Sequence, residues 1–228
     1  MKTHLNRIEK VLKSTKEFLK KNTELADGID LSMNFIPPFS KSIKVSDVKL
    51  IIIGQDPTVR NKTSRKNIQA TLNLDKNNSL RKYVEKVCKK LHFDIDKEVY
   101  ATNLYKCFFT DPPSDNPNIL TRHFKIWMDI LIDELRVFDL PYVVTLGEPV
   151  IQQLVYPYAE KNVKFYWNYT GNTNSGCKFK SISQNDNYLQ KKIYPIPHQP
   201  TYSKNFYKKY FDNYLNFIIE SEKCSAKR

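Results

Sequence analysis

Four consecutive apolar residues, Leu50-Ile51-Ile52-Ile53, run through Gly54 directly into a tight turn that holds Asp56 ahead of Pro57. β-Branched residues without polar alternation read as a parallel strand buried on both faces. In open α/β sheets, chemistry collects at the carboxyl ends of such strands. Pro57 fixes its own φ and biases Asp56 towards extended backbone, which restricts the carboxylate's direction before any ligand arrives. Taken alone, an Asp-Pro turn reads more simply as an aspartate bonding its own backbone.

Three further segments repeat the pattern of a short apolar strand ending on a polar residue or glycine. Val99-Tyr100-Ala101-Thr102 ends on Asn103, and Tyr142-Val143-Val144-Thr145-Leu146 ends on Gly147. Ile193-Tyr194-Pro195-Ile196-Pro197 ends on His198, followed by Gln199-Pro200. An acid, an amide and an imidazole thus stand at strand ends far apart in sequence.

Helical patterns separate these strands. Ile8, Val11, Leu12 and Leu19 recur among lysines between Leu5 and Leu19, as in an amphipathic helix packed on a core. Ser79 reads as the N-cap of a helix starting at Leu80. Phe124, Trp127, Met128, Leu131 and Leu135 form a core stripe on a helix over Thr121 to Phe138. Val150 to Tyr156 reads as a further helix, Val163 to Ile182 as an irregular hairpin around Thr170-Gly171-Asn172, and Lys204 to Glu222 as a last helix. Arg60 to Asn67 reads as a polar, basic loop. Alternating strands and helices argue an α/β fold, a three-layer α/β/α sandwich around a short parallel sheet. The chain's 228 residues suit one domain, 1–228, with residues 1–45 as an N-terminal helical extension packed on the core.

The charge is +13, from 37 Lys and Arg against 24 Asp and Glu, which suits a polyanionic partner as well as a merely solvated basic surface. Cys88, Cys107, Cys177 and Cys224 lie far apart with no Cys-x-x-Cys pair, which fits a reducing, intracellular compartment, the cytoplasm. No apolar run approaches the ~20 residues that span a bilayer, so no membrane association is expected. A monomer is expected.

In this order along the chain, the motifs resemble those of the uracil-DNA glycosylase superfamily. Gly54-Gln55-Asp56-Pro57 looks like the family's first motif, and His198-Gln199-Pro200 like its C-terminal histidine motif. Thr102-Asn103-Leu104-Tyr105-Lys106-Cys107, followed by Pro112-Pro113 and Asn116-Pro117, looks more like the iron-sulfur branch, as does Thr145-Leu146-Gly147. The resemblance spans Val48 to Ile218 and implies four central strands. It implies that Asp56 positions or deprotonates a water and that His198 donates to uracil O2. Asn103 would read the base edge, with Gln55, Thr58 and Leu72 lining the base pocket. Ser79, Gln199, Pro200, Thr201, Tyr202 and Lys204 would meet DNA, with Tyr202 a candidate wedge in the minor groove. A turn histidine and a strand-capping asparagine remain the simpler readings of His198 and Asn103.

The sequence departs from the family pattern at three places. Thr58 stands where a thymine-excluding tyrosine is usual, and the segment Gln69-Ala70-Thr71-Leu72-Asn73-Leu74 has no phenylalanine to stack on uracil. Cys107 lacks the other three thiolates that a four-iron cluster needs, so no cluster, metal or organic cofactor is expected. The reading is a hydrolase for uracil in DNA. The alternatives are a catalytically weak DNA-binding accessory module and a glycosylase for another deaminated or mismatched base.

Overall fold

The computed structural model describes residues 1–57, 59, 61–113, 115–139, 142–169 and 178–225, apart from the side chains of Pro117, Pro200, Cys224 and Ser225. At its centre lies a four-stranded parallel sheet in the order β2-β1-β3-β4. Its strands are β1 (Leu50–Gly54), β2 (Val99–Asn103), β3 (Tyr142–Leu146) and β4 (Ile193–Ile196). Every residue of β1 and β2 is buried, as continuous apolar strands between two helical layers must be.

The helices are α1 (Lys2–Lys20), α2 (Thr23–Ala26), α3 (Lys62–Arg65), α4 (Ser79–Leu91) and α5 (Pro117–Leu135). After them come α6 (Glu148–Leu154), α7 (Val163–Tyr166), α8 (Gln199–Tyr202) and α9 (Asn205–Ser225). Register assigns the layers, because residues paired across parallel strands share a face and their chain neighbours take the other. Tyr100 is in register with Ile51 and through it with Val143, and its hydroxyl donates to Glu134 of α5 at 2.9 Å. Tyr194 belongs to the opposite set, with Val144, Ile52 and Ala101, and its hydroxyl donates to Glu222 of α9. Helices α5 and α9 therefore flank opposite faces, and the three-layer α/β/α arrangement expected from the sequence is present.

The apolar stripe on α5 is core: Trp127, Met128, Leu131 and Leu135 are buried and Phe124 is partly so. Ile8, Leu12 and Leu19 of α1 join the same buried cluster. Pro195 falls in β4, which lies at the sheet's margin, where a missing N–H donor is tolerated. Residues preceding β1 run alongside β2: Phe39 and Ala101 exchange two main-chain hydrogen bonds of 2.8 Å, and Ile36 N–H donates to Lys106.

Several local expectations are revised. Asn78, not Ser79, caps α4, because its side-chain oxygen accepts from Arg81 N–H, and Ser79 is the first helical residue. The basic segment after Asp56 contains helix α3 instead of an open loop. Asn61 caps it, and its Arg65 turns inward, 4 % exposed, to pair with Asp30 at 2.7 Å. The expected hairpin from Val163 opens with α7, and its centre at 170–177 lies outside the described residues. Among the described residues no helix is long and apolar enough to cross a membrane.

Candidate active site

Strand order 2-1-3-4 makes the chain turn opposite ways from β1 and β3, and a crevice opens beyond their carboxyl ends. A cleft of about 490 Å³ lies there. Its walls bring together Gly54 at the end of β1 with Gln55 and Asp56 after it, Gly147 and Glu148 after β3, and Pro197 and His198 after β4. Leu72, Thr201 and Lys204 also line it. Residues more than a hundred positions apart thus share one cavity.

The turn carrying Asp56 is stitched to the end of β2. Leu104 N–H donates to the Gly54 carbonyl at 2.9 Å and Tyr105 N–H to the Gln55 carbonyl at 2.8 Å. From the other side Arg65 donates to the carbonyls of Val59 at 2.6 Å and Phe109 at 2.7 Å, besides pairing with Asp30. Burial raises the Asp30 pKa, but the Ser32 hydroxyl and the Arg65 guanidinium more than offset this and hold it below the usual value. Beneath the turn, burial foremost, and then the charge of Asp56, push the Cys107 thiol well up. That sulfur is a protonated core group. Among the described residues no three His, Cys, Asp or Glu side chains cluster as a metal site.

Asn103 lies just behind this lining, beside Gly54 and Leu72. It is 1 % exposed, and neither Oδ1 nor Nδ2 has a hydrogen-bond partner among the described residues. A Cβ added to Gly54 would lie 2.5 Å from Asn103 Oδ1 and 2.8 Å from Leu72 Cδ2, so only glycine lets the amide pack this close behind the cleft wall. Below it, Lys106 Nζ donates to the Asn103 carbonyl and to Thr102 Oγ1, each at 2.7 Å, and contacts Glu134 Oε2 at 2.7 Å. Lysine and glutamate are both wholly buried.

Leu72 supplies an apolar wall from a strained turn. Its φ is +58° and that of Asn73 is +52°, two successive residues in the left-handed region without a glycine. Such strain costs roughly 1–2 kcal/mol per residue and persists only where surroundings enforce it. Thr71, fully buried, enforces it by bonding the Pro37 carbonyl through both its N–H and its hydroxyl.

His198 precedes α8, and its carbonyl accepts from Thr201 and Tyr202 N–H at 2.8 and 2.9 Å. Tyr83 of α4 donates to the Pro197 carbonyl at 2.8 Å. Gly147, at φ +86°, leaves room for the imidazole's stem, since a Cβ there would lie 3.1 Å from His198 Cβ. The histidine presents much of its surface to the cleft, yet the crowding around it lowers its pKa, so the neutral ring predominates at pH 7.

The remaining expected residues divide. Lys204 lies exposed on the cleft rim and Thr201 on its wall, whereas Gln199 is partly buried outside the lining and Ser79 stands exposed at the start of α4. Tyr202 does not project as a wedge. Its ring packs on Tyr83 and Phe211, centroids 5.2 and 4.7 Å apart, and its hydroxyl accepts from Lys86. Thr58 and the Pro200 side chain lie outside what is described.

Sequence reasoning missed Glu148, Val163, Lys164 and Tyr207, all of which line the cleft. Glu148 could have been found, since it follows Gly147 at a strand end, the signal that identified Asp56. Lys164 and Tyr207 carry no such signal, because they reach the cleft only through the packing of α7 and α9.

No curated protein matches the chain significantly. The family model of the uracil DNA glycosylase superfamily matches residues 41–219, well over half the chain and inclusive of every strand end described. On that match, the chain belongs to the uracil DNA glycosylase superfamily, and membership points to a DNA glycosylase.

Proposed function

We propose that the protein hydrolyses the N-glycosidic bond of uracil in DNA and leaves an abasic site. The observation that carries the reading is the buried amide of Asn103, unpartnered directly behind Gly54 and Leu72 in the wall of a nucleoside-sized cleft. A buried polar group without a partner costs about 1–3 kcal/mol, which a base edge would relieve. With Oδ1 towards N3 and Nδ2 towards position 4, an amide accepts from uracil N3–H and donates to O4, whereas cytosine offers that orientation the reverse pattern and leaves both pairs unmade. Sites of this kind discriminate by about 10⁴ to 10⁵.

The base must leave the duplex to enter such a cleft. Asp56 orients a water and takes its proton as oxygen bonds to the anomeric carbon. The C–N bond breaks with its electron pair going to the base. A positioned base of this kind contributes about 10² to 10⁴ in rate. Neutral His198 donates N–H to O2, where negative charge grows, and loss of a comparable donor costs about 10² to 10³.

The test is cleavage of an end-labelled oligonucleotide carrying one uracil, followed by alkali. Cutting at uracil that Asp56→Asn and His198→Ala each suppress supports the assignment, and full activity in both variants sinks it. Asn103→Asp is expected to gain cytosine excision. No cutting, with salt-sensitive binding of the same DNA retained, would favour an accessory DNA-binding module, the reading that Leu72 in place of an aromatic wall supports.

A further inference from the structure

We infer that the surface formed by α7 and the start of α9 is a stacking platform for single-stranded DNA leading out of the cleft. The inference rests on the cleft being a nucleotide site. Val163 and Lys164 of α7 and Tyr207 of α9 line that cleft, and Lys204 stands on its rim. Close to them in the chain, Phe165 and Tyr169 are 42 % and 41 % exposed.

Both rings are held firmly. Phe165 packs edge-on against buried Tyr166 at 5.2 Å, and Tyr169 against Phe206 of α9 at 4.4 Å. Tyr169 N–H donates to the Lys164 carbonyl at 2.8 Å, which fixes its backbone to α7. Each ring carries a lysine: Lys180 Nζ stands 3.9 Å from the Phe165 centroid and Lys164 Nζ 5.6 Å from that of Tyr169. Further along α9, Lys209 stands over Tyr210 at 5.1 Å. An exposed cation over a ring is worth only about as much as one weak surface contact. The ammonium can therefore move to a phosphate and bare the ring face for a base.

Rings interleaved with lysines are what a single strand requires, one component for the bases and one for the backbone. Paired bases in a duplex stack on each other and offer no free face to these rings. A protein partner fits poorly, because lysine is depleted in protein interfaces.

The test is fluorescence anisotropy with a short labelled oligonucleotide lacking uracil, as a single strand and as a duplex, at several salt concentrations. Phe165→Ser with Tyr169→Ser is expected to weaken single-strand binding about a hundredfold, at roughly tenfold per ring, with duplex binding within about threefold of wild type. Phe165→Leu with Tyr169→Leu, which keeps apolar area but removes the π faces, is expected to behave like the serine pair. Lys164→Gln with Lys180→Gln should reduce the salt slope by about 1.4, at ~0.7 per phosphate contact, while the ring variants leave the slope unchanged. Unaltered single-strand affinity in either ring pair, or equal losses on single strand and duplex, overturns the inference. Because the probe contains no uracil, a cleft that acts on another base leaves these results standing, and the cleavage assay alone reports that failure.

Discussion

The wholly buried Lys106 donates from Nζ to the main-chain carbonyl of Asn103 at 2.7 Å, so a charge deep in the core holds the residue that backs the cleft wall. Its counter-charge is Glu134, which also accepts from Tyr100 at 2.9 Å. Burial lowers the Lys106 pKa and the Glu134 carboxylate opposes that shift. Core and site are thereby one network running from α5 to the end of β2.

Lys106→Met strands Glu134 as an unpaired buried charge and should cost about 3–5 kcal/mol. Lys106→Met combined with Glu134→Leu should recover most of the stability. It should leave kcat depressed, because the Asn103 carbonyl remains untethered in both variants. Urea unfolding beside single-turnover excision separates the two effects, and a double variant with wild-type kcat would show that the lysine serves the core alone.

Gly54→Ala places a methyl group where the Asn103 amide and a Leu72 methyl stand, 2.5 and 2.8 Å from the new carbon. Displacing a positioning group by about 1 Å can cost about 10² in rate. Excision kcat/KM should fall by about that factor with the fold intact by circular dichroism, and uracil preference over cytosine should narrow.

Leu72→Phe restores a ring to the cleft wall without easing the backbone, since both residues are equally strained at φ +58°. Ring stacking adds about 0.5–1.5 kcal/mol beyond buried area. Excision kcat/KM should rise several-fold with stability little changed. A loss of activity in steady-state assays would mean that the wall tolerates no added volume.

Acid sensitivity follows from the histidines. Burial lowers the pKa of His123 and, against the pull of Glu134, of His4. The unfolded chain, with histidines near 6.5, therefore takes up protons first as pH falls, and stability present above that pH is lost below it. Each such group gives a slope of up to about 1.4 kcal/mol per pH unit. The drop should set in as pH falls through about 6.5, above the range in which depressed carboxylates such as Asp30 titrate. His123→Leu should flatten it in urea titrations at pH 7.5 and 5.5.

The sheet was legible because its strands are short apolar runs closed by glycine or a polar residue, a pattern local to each segment. Asp56, Asn103 and His198 were nameable for the same reason, each lying within two residues of the end of such a run. What the sequence withheld depends on contacts between distant segments. Tyr202 reads as a surface residue among polar neighbours until Tyr83 and Phe211, from other helices, are packed around it. Arg65 likewise reads as solvent-facing until Asp30 and two carbonyls are brought to it from elsewhere. The α4 cap moved by one residue because Asn78 and Ser79 are both good caps, and only Asn78 aims its oxygen at Arg81 N–H.

The run of chain ahead of the family-matched stretch has a consequence for anyone who would shorten the protein. Phe39 shields the open margin of β2, and Asp30 neutralises the arginine that braces the Asp56 turn. A chain begun at residue 41 would present β2 as a bare, flat, apolar template to its neighbours and leave Arg65 without its counter-ion. Such a fragment would keep every motif and still precipitate.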